Sequence, residues 1–454
     1  MSDPSTPSAD EKGFVASEQS LGHGQSYSRP RGEVYDIAGT DPVLSRKMAA
    51  VNDAIDEIGL TPYHWKLFCL NGFGYAVDSI CGQNADAVLQ MLIVLQGITQ
   101  PMIELEYKNP NKHIKGISLA SAIGLLVGAL FWGFLADVIG RKVAFNSTLF
   151  ICAIATILAG AMPNYVSFAT FVAIAGFSAG GNYILDSTVF LEFVPSNKAW
   201  LVTLLSIWWA IGYTVSGLFA WAFLSNYSCT LAPKGKTQLP CHRADNMGWR
   251  YLHWSLGALV FVLSILRLTV LRLQHSAKWL ITQGRDSEVL DTLQKIATTY
   301  RRPLSLKLED LLALGEVADA RTSVWSPRRL KAHVGQLFQT HKLAYSTSML
   351  FLVWAIIGIA YPLFYVFLPY YLALRGYQAG KSSNYITWRN FAVNQVCGLF
   401  GPIIAAWLVQ QRFVGRKGTL AIGALLTMAF LFGYTQVTIS EQNLGLVCAI
   451  SVVS

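Results

Sequence analysis

The segment from Ile117 to Ala136 runs for 20 residues without a single charged side chain. That length matches what an α-helix needs to cross the hydrocarbon core of a bilayer, about 20 residues for about 30 Å. Comparable apolar runs recur near 66–96, 143–162, 165–190, 200–224, 250–272, 343–374, 386–410 and 418–438, and a further one opens near Leu444. Inside lipid every backbone N–H and C=O must be satisfied within the protein, so runs of this length fold as helices. The expected class is an all-α membrane protein with about nine full spans and a partial tenth. Composition agrees: 13% of residues are charged, against about 25% in soluble domains.

The stretches between the runs organise the chain. Residues 1–62, rich in Ser, Pro, Gly and charge and without a cleavable apolar segment near Met1, read as a disordered cytosolic tail. A six-helix bundle is expected over 63–272, a central cytosolic loop over 273–342, and a second, incomplete group of spans over 343–454. The loop contains two amphipathic stretches, SEVLDTLQKIA and LKLEDLLALGEV, with apolar residues three or four apart. With the tail in the cytosol, roughly 25 of the 35 Lys and Arg residues fall in the tail and the even-numbered loops, as the positive-inside rule requires. The net charge of +9 therefore reflects orientation and not a nucleic-acid surface, which would cluster its bases with aromatics on one face.

The fifth loop would face outward. It carries an acceptor pattern for glycosylation at Asn226, and Cys229 and Cys241 share it. A disulfide between the two requires an oxidising compartment; a pair of free thiols is the alternative. The other five cysteines lie in apolar runs and act as small hydrophobes.

Charge and glycine gather at GFLADVIGRK, residues 133–142, between the second and third runs. The second half repeats the feature: AAWLVQQRFVGRKG, residues 405–418, ends on the same Gly-Arg-Lys before another apolar run, six spans later. Duplicated halves are a common transporter architecture, with the substrate path between them. GFLADVIGRK resembles the signature loop of the major facilitator superfamily. FLEFVP (190–195), GWRYLHWSLGAL (248–259) and QHSAKWLITQGR (274–285) narrow the likeness to its fungal sugar-transporter-like and synaptic-vesicle-glycoprotein-like branch.

The resemblance implies a twelve-helix transporter of two six-helix bundles, of which this chain would hold the first complete and the second in part, as in a truncated product. It implies gating roles for Gly133, Asp137, Gly140, Arg141 and Lys142, and for Glu192, similar to the family's glutamate that pairs with arginines near Arg141. Arg285, in the Gly-Arg that follows the sixth span, and Arg416, in the repeat, extend this set. Departures are informative. Val138 replaces the usual Arg, and the seventh span lacks the Gln-Gln and Asn that sugar porters turn toward substrate hydroxyls, which argues against a hexose.

Acids within spans are expensive, about 2.5–3.5 kcal/mol at a helix centre, so each is a candidate functional group. Asp78 lies about a dozen residues into the first run. Asn182 and Asp186 are four apart in the fourth and share one helix face. These acids would bind a proton, a cation or substrate hydroxyls; a structural hydrogen bond to a neighbouring helix is the alternative. Trp208, Trp209 and Tyr365 could line the cavity, or merely pack. Together these features predict a secondary transporter of a small polar solute (a sugar, organic acid or organic ion), proton-coupled, monomeric and in the plasma membrane. A non-transporting receptor of the same fold, or an inactive product, are the alternatives. No phosphate loop, Gly-x-Ser-x-Gly or metal-spaced His or Cys pair occurs in the sequence, so no enzyme, cofactor, metal or nucleic-acid role is expected.

Overall fold

The computed structural model describes residues 42–69, 72, 99, 102–103, 106–107, 116–139, 141–229, 241–270, 276–317, 335, 337–356, 384–435 and 440–453. Among these residues regular structure is entirely helical. In chain order the helices are α1 (Pro42–Ile58), α2 (Gly116–Ile139), α3 (Arg141–Ala161), α4 (Tyr165–Phe193), α5 (Trp200–Leu205), α6 (Ile207–Leu224) and α7 (Gly248–Val270). They are followed by α8 (Ala277–Thr282), α9 (Asp286–Thr299), α10 (Leu308–Ala313), α11 (Asn384–Cys397), α12 (Phe400–Gln410), α13 (Gly415–Thr435) and α14 (Ser440–Val453).

Six candidate membrane spans occur among the described residues: Leu119–Ala136, Val143–Ala161, Trp200–Leu224, Gly248–Thr269, Tyr385–Gln410 and Gly415–Tyr434. They fall on the second, third, fifth, sixth, eighth and ninth expected runs. Helix α4, with 29 residues, is about 43 Å long at 1.5 Å per residue and also exceeds the bilayer core. Most of the first and seventh expected spans lies outside the described residues. Lipid is as apolar as leucine, so exposed leucines on such helices carry no penalty. Leu119, Ile123, Leu126 and Leu130 accordingly form an exposed stripe along α2.

Because lipid supplies no hydrophobic drive for helix association, packing depends on close approach. Gly124 and Gly128 of α2 meet Gly176 and Gly180 of α4, each pair one turn apart, which is the small-x-x-x-small arrangement on both partners. A Cβ at Gly128 would fall 1.8 Å from the Phe177 carbonyl oxygen, and one at Gly180 would fall 2.3 Å from that of Leu125. Backbone therefore rests directly on backbone. Helices α3 and α7 also approach through glycine, but mainly against side chains: Gly160 lies beneath His253 and Trp254, and Gly257 against Ile157. The halves of the sequence meet where Gly217 of α6 approaches Ala392 and Gln395 of α11, and where the Thr214 hydroxyl donates to the Gln395 carbonyl at 3.1 Å.

The N-terminal segment departs from expectation. Residues 42–58, placed by composition within a disordered tail, form α1, and Val51, Ala54, Ile55 and Ile58 bury one face of it. That face joins a core with Ala277, Leu280 and Ile281 of α8 and Val289 and Leu293 of α9. Lys47, buried, pairs with Asp286 at the start of α9. Residues 1–41 lie outside the described residues. The two amphipathic stretches of the central segment become α9 and α10. Acids in the first turn of α9 favour its N-terminal dipole, and the Lys307 backbone N–H donates to Asp310 at the start of α10. Each copy of the repeated Gly-Arg-Lys stands at a helix start: Arg141 opens α3, and Gly415, at φ 57°, opens α13 in a conformation that suits glycine.

Gly128→Val should destabilise the protein by at least about 2 kcal/mol, because the added side chain meets backbone that cannot yield. Leu130→Val, on the exposed stripe, should change little. Thermal unfolding in detergent compares the two, and equal midpoints would contradict the α2–α4 contact.

Candidate gate and transport pathway

Three buried polar clusters punctuate the helical bundle, one at each end and one between. The first gathers where α7 begins. Arg250 is fully buried, and its two terminal nitrogens donate to the two oxygens of Glu106 at 2.8 and 2.6 Å. Trp249 Nε1 donates to the same carboxylate at 3.1 Å and Asn246 Nδ2 at 3.3 Å. Asn246 also donates to the Met102 carbonyl at 2.7 Å, and the Arg250 guanidinium stands 4.1 Å from the Trp249 ring centroid. Tyr107 continues the chain, accepting from Arg250 and donating to the Met162 carbonyl at 2.9 Å. A bidentate, multiply hydrogen-bonded carboxylate is the condition under which a buried ion pair is tolerated. At this end Cys229 is bonded to Cys241, with their Cα atoms 6.1 Å apart, and Asn226 is exposed.

The second cluster lies within the bundle. Asn182 of α4 is buried, and its side-chain oxygen accepts from Arg267 of α7 at 3.1 Å and from the Thr148 hydroxyl of α3 at 3.3 Å. Arg267, also buried, lies over the Phe145 ring. Asp186 follows Asn182 by one helical turn on the same face of α4; its side chain lies outside the described residues. A guanidinium stays charged throughout the accessible pH range, so this cation inside the bundle is permanent.

The third cluster occupies the end that carries α1. Thr61 precedes the helical residues 62–69, and its backbone N–H donates to His64 Nδ1 at 3.0 Å. Nδ1 being an acceptor, the ring proton belongs on Nε2, which donates to the Phe193 carbonyl at the end of α4, 2.9 Å away. Burial pushes the His64 pKa below its ordinary value, opposed by the backbone hydrogen bonds to Phe193 and Thr61. Trp208 of α6 packs here, 6.3 Å from the Phe68 ring and against Gly72, and Trp209 borders the same core. Both therefore touch the apolar core at this end of the bundle.

The remaining sequence-derived candidates divide as follows. Glu192 is half-buried at the end of α4. Arg285 is exposed and engages Glu288 of its own helix at 2.7 Å. Arg416 is exposed at the start of α13, and Gly133 lies within α2. Asp78, Tyr365 and Gly140 lie outside the described residues, as do the side chains of Asp137, Arg141 and Lys142. Glu106, Arg250, Arg267 and His64 were not singled out from the sequence. A charge inside a run, such as Arg267 in the sixth, was the available signal.

A bundle of apolar helices that buries arginines among hydrogen-bonding partners is the architecture of a multi-pass membrane protein. Residues 73–454 match the profile of the Major Facilitator Superfamily, and the chain belongs to that family. It is 41% identical to the MFS siderochrome iron transporter 1 of Ceriporiopsis subvermispora over 92% of this chain and 78% of the relative. It is 28% identical to the niacin transporter NiaP of Acinetobacter baylyi over 84% and 74% of the two chains. Its fold resembles that of the Escherichia coli xylose transporter XylE in a partially occluded inward-open conformation, with a TM-score of 0.54 at 15% identity over 86% and 84% of the two chains. The protein is thus a transporter of the superfamily and not an enzyme.

Two outcomes follow from the end clusters. Glu106→Gln should cost about 3–5 kcal/mol by stranding a buried guanidinium, and adding Arg250→Met should recover part of that loss; unfolding midpoints of the singles and the double measure the coupling. For His64 the native state favours the neutral ring. Stability should therefore be full above pH 6.5, the ordinary histidine value, and should fall as pH drops below it, because the unfolded chain then takes up the proton first. His64→Asn, which retains an acceptor toward Thr61, should flatten that pH dependence of the unfolding midpoint.

Proposed function

We propose that the chain is a secondary active transporter of a small polar organic solute, moved by alternating access and coupled to protons. The observation that supports this reading is the Arg267–Asn182–Thr148 cluster, a permanent cation held inside the bundle by an asparagine that precedes the acid Asp186 by one turn of α4. An acid so placed lowers the energy of the cation when ionised and loses that attraction when protonated, which is what a proton-driven cycle requires. Asp78 is proposed as the second acid of the pathway, and Tyr365 as a cavity residue. Glu192 and the charged residues of the signature loop, Asp137, Arg141 and Lys142, are proposed to close the inward gate, with Arg285 and Arg416 at the same face.

An organic acid or organic ion fits better than a hexose, because the seventh run lacks the amides that would bind several hydroxyls. The names of two relatives, a niacin transporter and a siderochrome iron transporter, also point to organic acids and chelates. The proposed setting is the plasma membrane, as a monomer with the α1 end in the cytosol and the disulfide end outside. Glycosidase-sensitive mobility lost in Asn226→Gln would support this orientation.

The test is uptake by the full chain in proteoliposomes under an imposed pH gradient, with niacin, a ferric siderophore and xylose as probes. Accumulation of one organic acid or chelate, abolished in Asp186→Asn while binding persists, is expected. Gradient-driven uptake unchanged in both Asp186→Asn and Asp78→Asn would refute the coupling, and binding without flux would favour a receptor.

A further inference from the structure

The last turn of α1 ends in two adjacent acids, Asp56 and Glu57, placed where the negative end of a helix dipole disfavours them. Each is held by one serine through two hydrogen bonds. Asp56 accepts from the backbone N–H and the hydroxyl of Ser196, in the turn after α4. Glu57 accepts from the backbone N–H of Ser305 at 3.0 Å and from its hydroxyl at 2.7 Å. The two serines thus hold the end of α1 at two places, one in the turn after α4 and one on the central segment.

Their surroundings differ. Phe193, Val194 and Pro195 precede Ser196, whereas Arg301, Arg302, Pro303 and Leu304 precede Ser305. Residues 302–307 are extended between α9 and α10, and exposure alternates along them: Leu304 and Leu306 turn inward while Ser305 is exposed. Arg301 adopts φ 53°, and Arg302 reaches back to donate to the Leu60 carbonyl just beyond α1 at 3.2 Å. An exposed hydroxyl on an extended segment, with arginines three and four residues before it, is what a kinase that reads basic residues can engage.

We propose that Ser305 is a phosphoacceptor for such a basophilic protein kinase, and that its phosphorylation releases the end of α1 from the central segment. The Ser305 hydroxyl oxygen attacks the γ-phosphorus of ATP, forming an O–P bond as the bond to the β–γ bridging oxygen breaks. ADP leaves, and the hydroxyl proton passes to the base of the kinase. The product removes the hydroxyl, one of the two donors to Glu57, leaves the Ser305 backbone N–H, and sets a group of charge about −1.5 to −2 beside the carboxylate. The clamp becomes a repulsion, while the Asp56–Ser196 contact is untouched. In cells the modification rests on the cytosolic placement proposed above, which glycosylation at Asn226 tests independently.

The experiment uses the full chain in detergent, with the catalytic subunit of a basophilic Ser/Thr kinase and ATP. Phosphate is located by mass spectrometry, and α1 is followed by amide hydrogen exchange. Phosphate is expected at Ser305 and absent from Ser305→Ala. In the phosphorylated protein the amides of the last α1 turn should exchange about tenfold faster, the loss expected for hydrogen bonds to a charged group. Glu57→Gln removes the repelling charge, so phosphorylating that variant should change α1 exchange far less. No phosphate at Ser305 would overturn the proposal. So would phosphate there with α1 protection unchanged, or an equal response in Glu57→Gln.

Discussion

A charge buried among apolar helices must find its partner, and three such pairings set the register of this fold. Arg250 holds Glu106, Arg267 holds Asn182 and Lys47 holds Asp286. Each joins segments far apart in sequence. Hydrophobic contact is nondirectional, and in a bilayer it does not distinguish a neighbouring helix from lipid. Sliding one helix by a turn would still leave leucine against leucine, but it would strand a guanidinium or a carboxylate at a cost of several kcal/mol. The polar pairs therefore decide between arrangements that the apolar surface leaves nearly degenerate.

Glycine decides how closely the helices can approach, and it does so unequally. At the α2–α4 crossing a Cβ on Gly128 or Gly180 would overlap backbone atoms deeply, so those helices move as one body. At the α6–α11 contact a Cβ on Gly217 would stand 3.1 Å or more from its neighbours, still a close approach, and the Thr214 hydroxyl donates across it to the Gln395 carbonyl. At these glycines the approach within the first half is closer than the approach between halves.

The membrane makes one level of this structure legible and hides another. Lipid demands about 20 apolar residues per crossing, so α2, α3, α6 and α7 could be placed within a few residues from composition alone. The signature GFLADVIGRK and its echo at Gly415 gave the family and the internal repeat. Helix α1 was missed because its flanking Ser- and Pro-rich sequence dominates the composition of that region. Its apolar positions, Val51, Ala54, Ile55 and Ile58, obey the helical spacing that would have revealed it. Arg267 was visible as a charge near the end of a run. The Glu106–Arg250 pair was not, because no local pattern shows that residues 144 apart will meet. Trp208 and Trp209 illustrate the converse: aromatic side chains suit a cavity and a core equally well.

The end that carries α1 has a further consequence for motion. His64 ties the entry of the first expected span to Phe193 at the end of α4. Asp56 ties α1 to the turn that follows, and Glu57 and Lys47 tie it to the central segment. These contacts fall within about twenty residues of chain, so a displacement of α1 cannot be absorbed locally. It must either break a hydrogen bond to a charged group, worth about 1.5–3 kcal/mol, or carry the ends of two transmembrane segments with it. An N-terminal helix that composition would assign to a passive tail is therefore mechanically part of the bundle. Its grip is also built from groups that respond to charge: a histidine kept neutral by burial and two carboxylates held by serines.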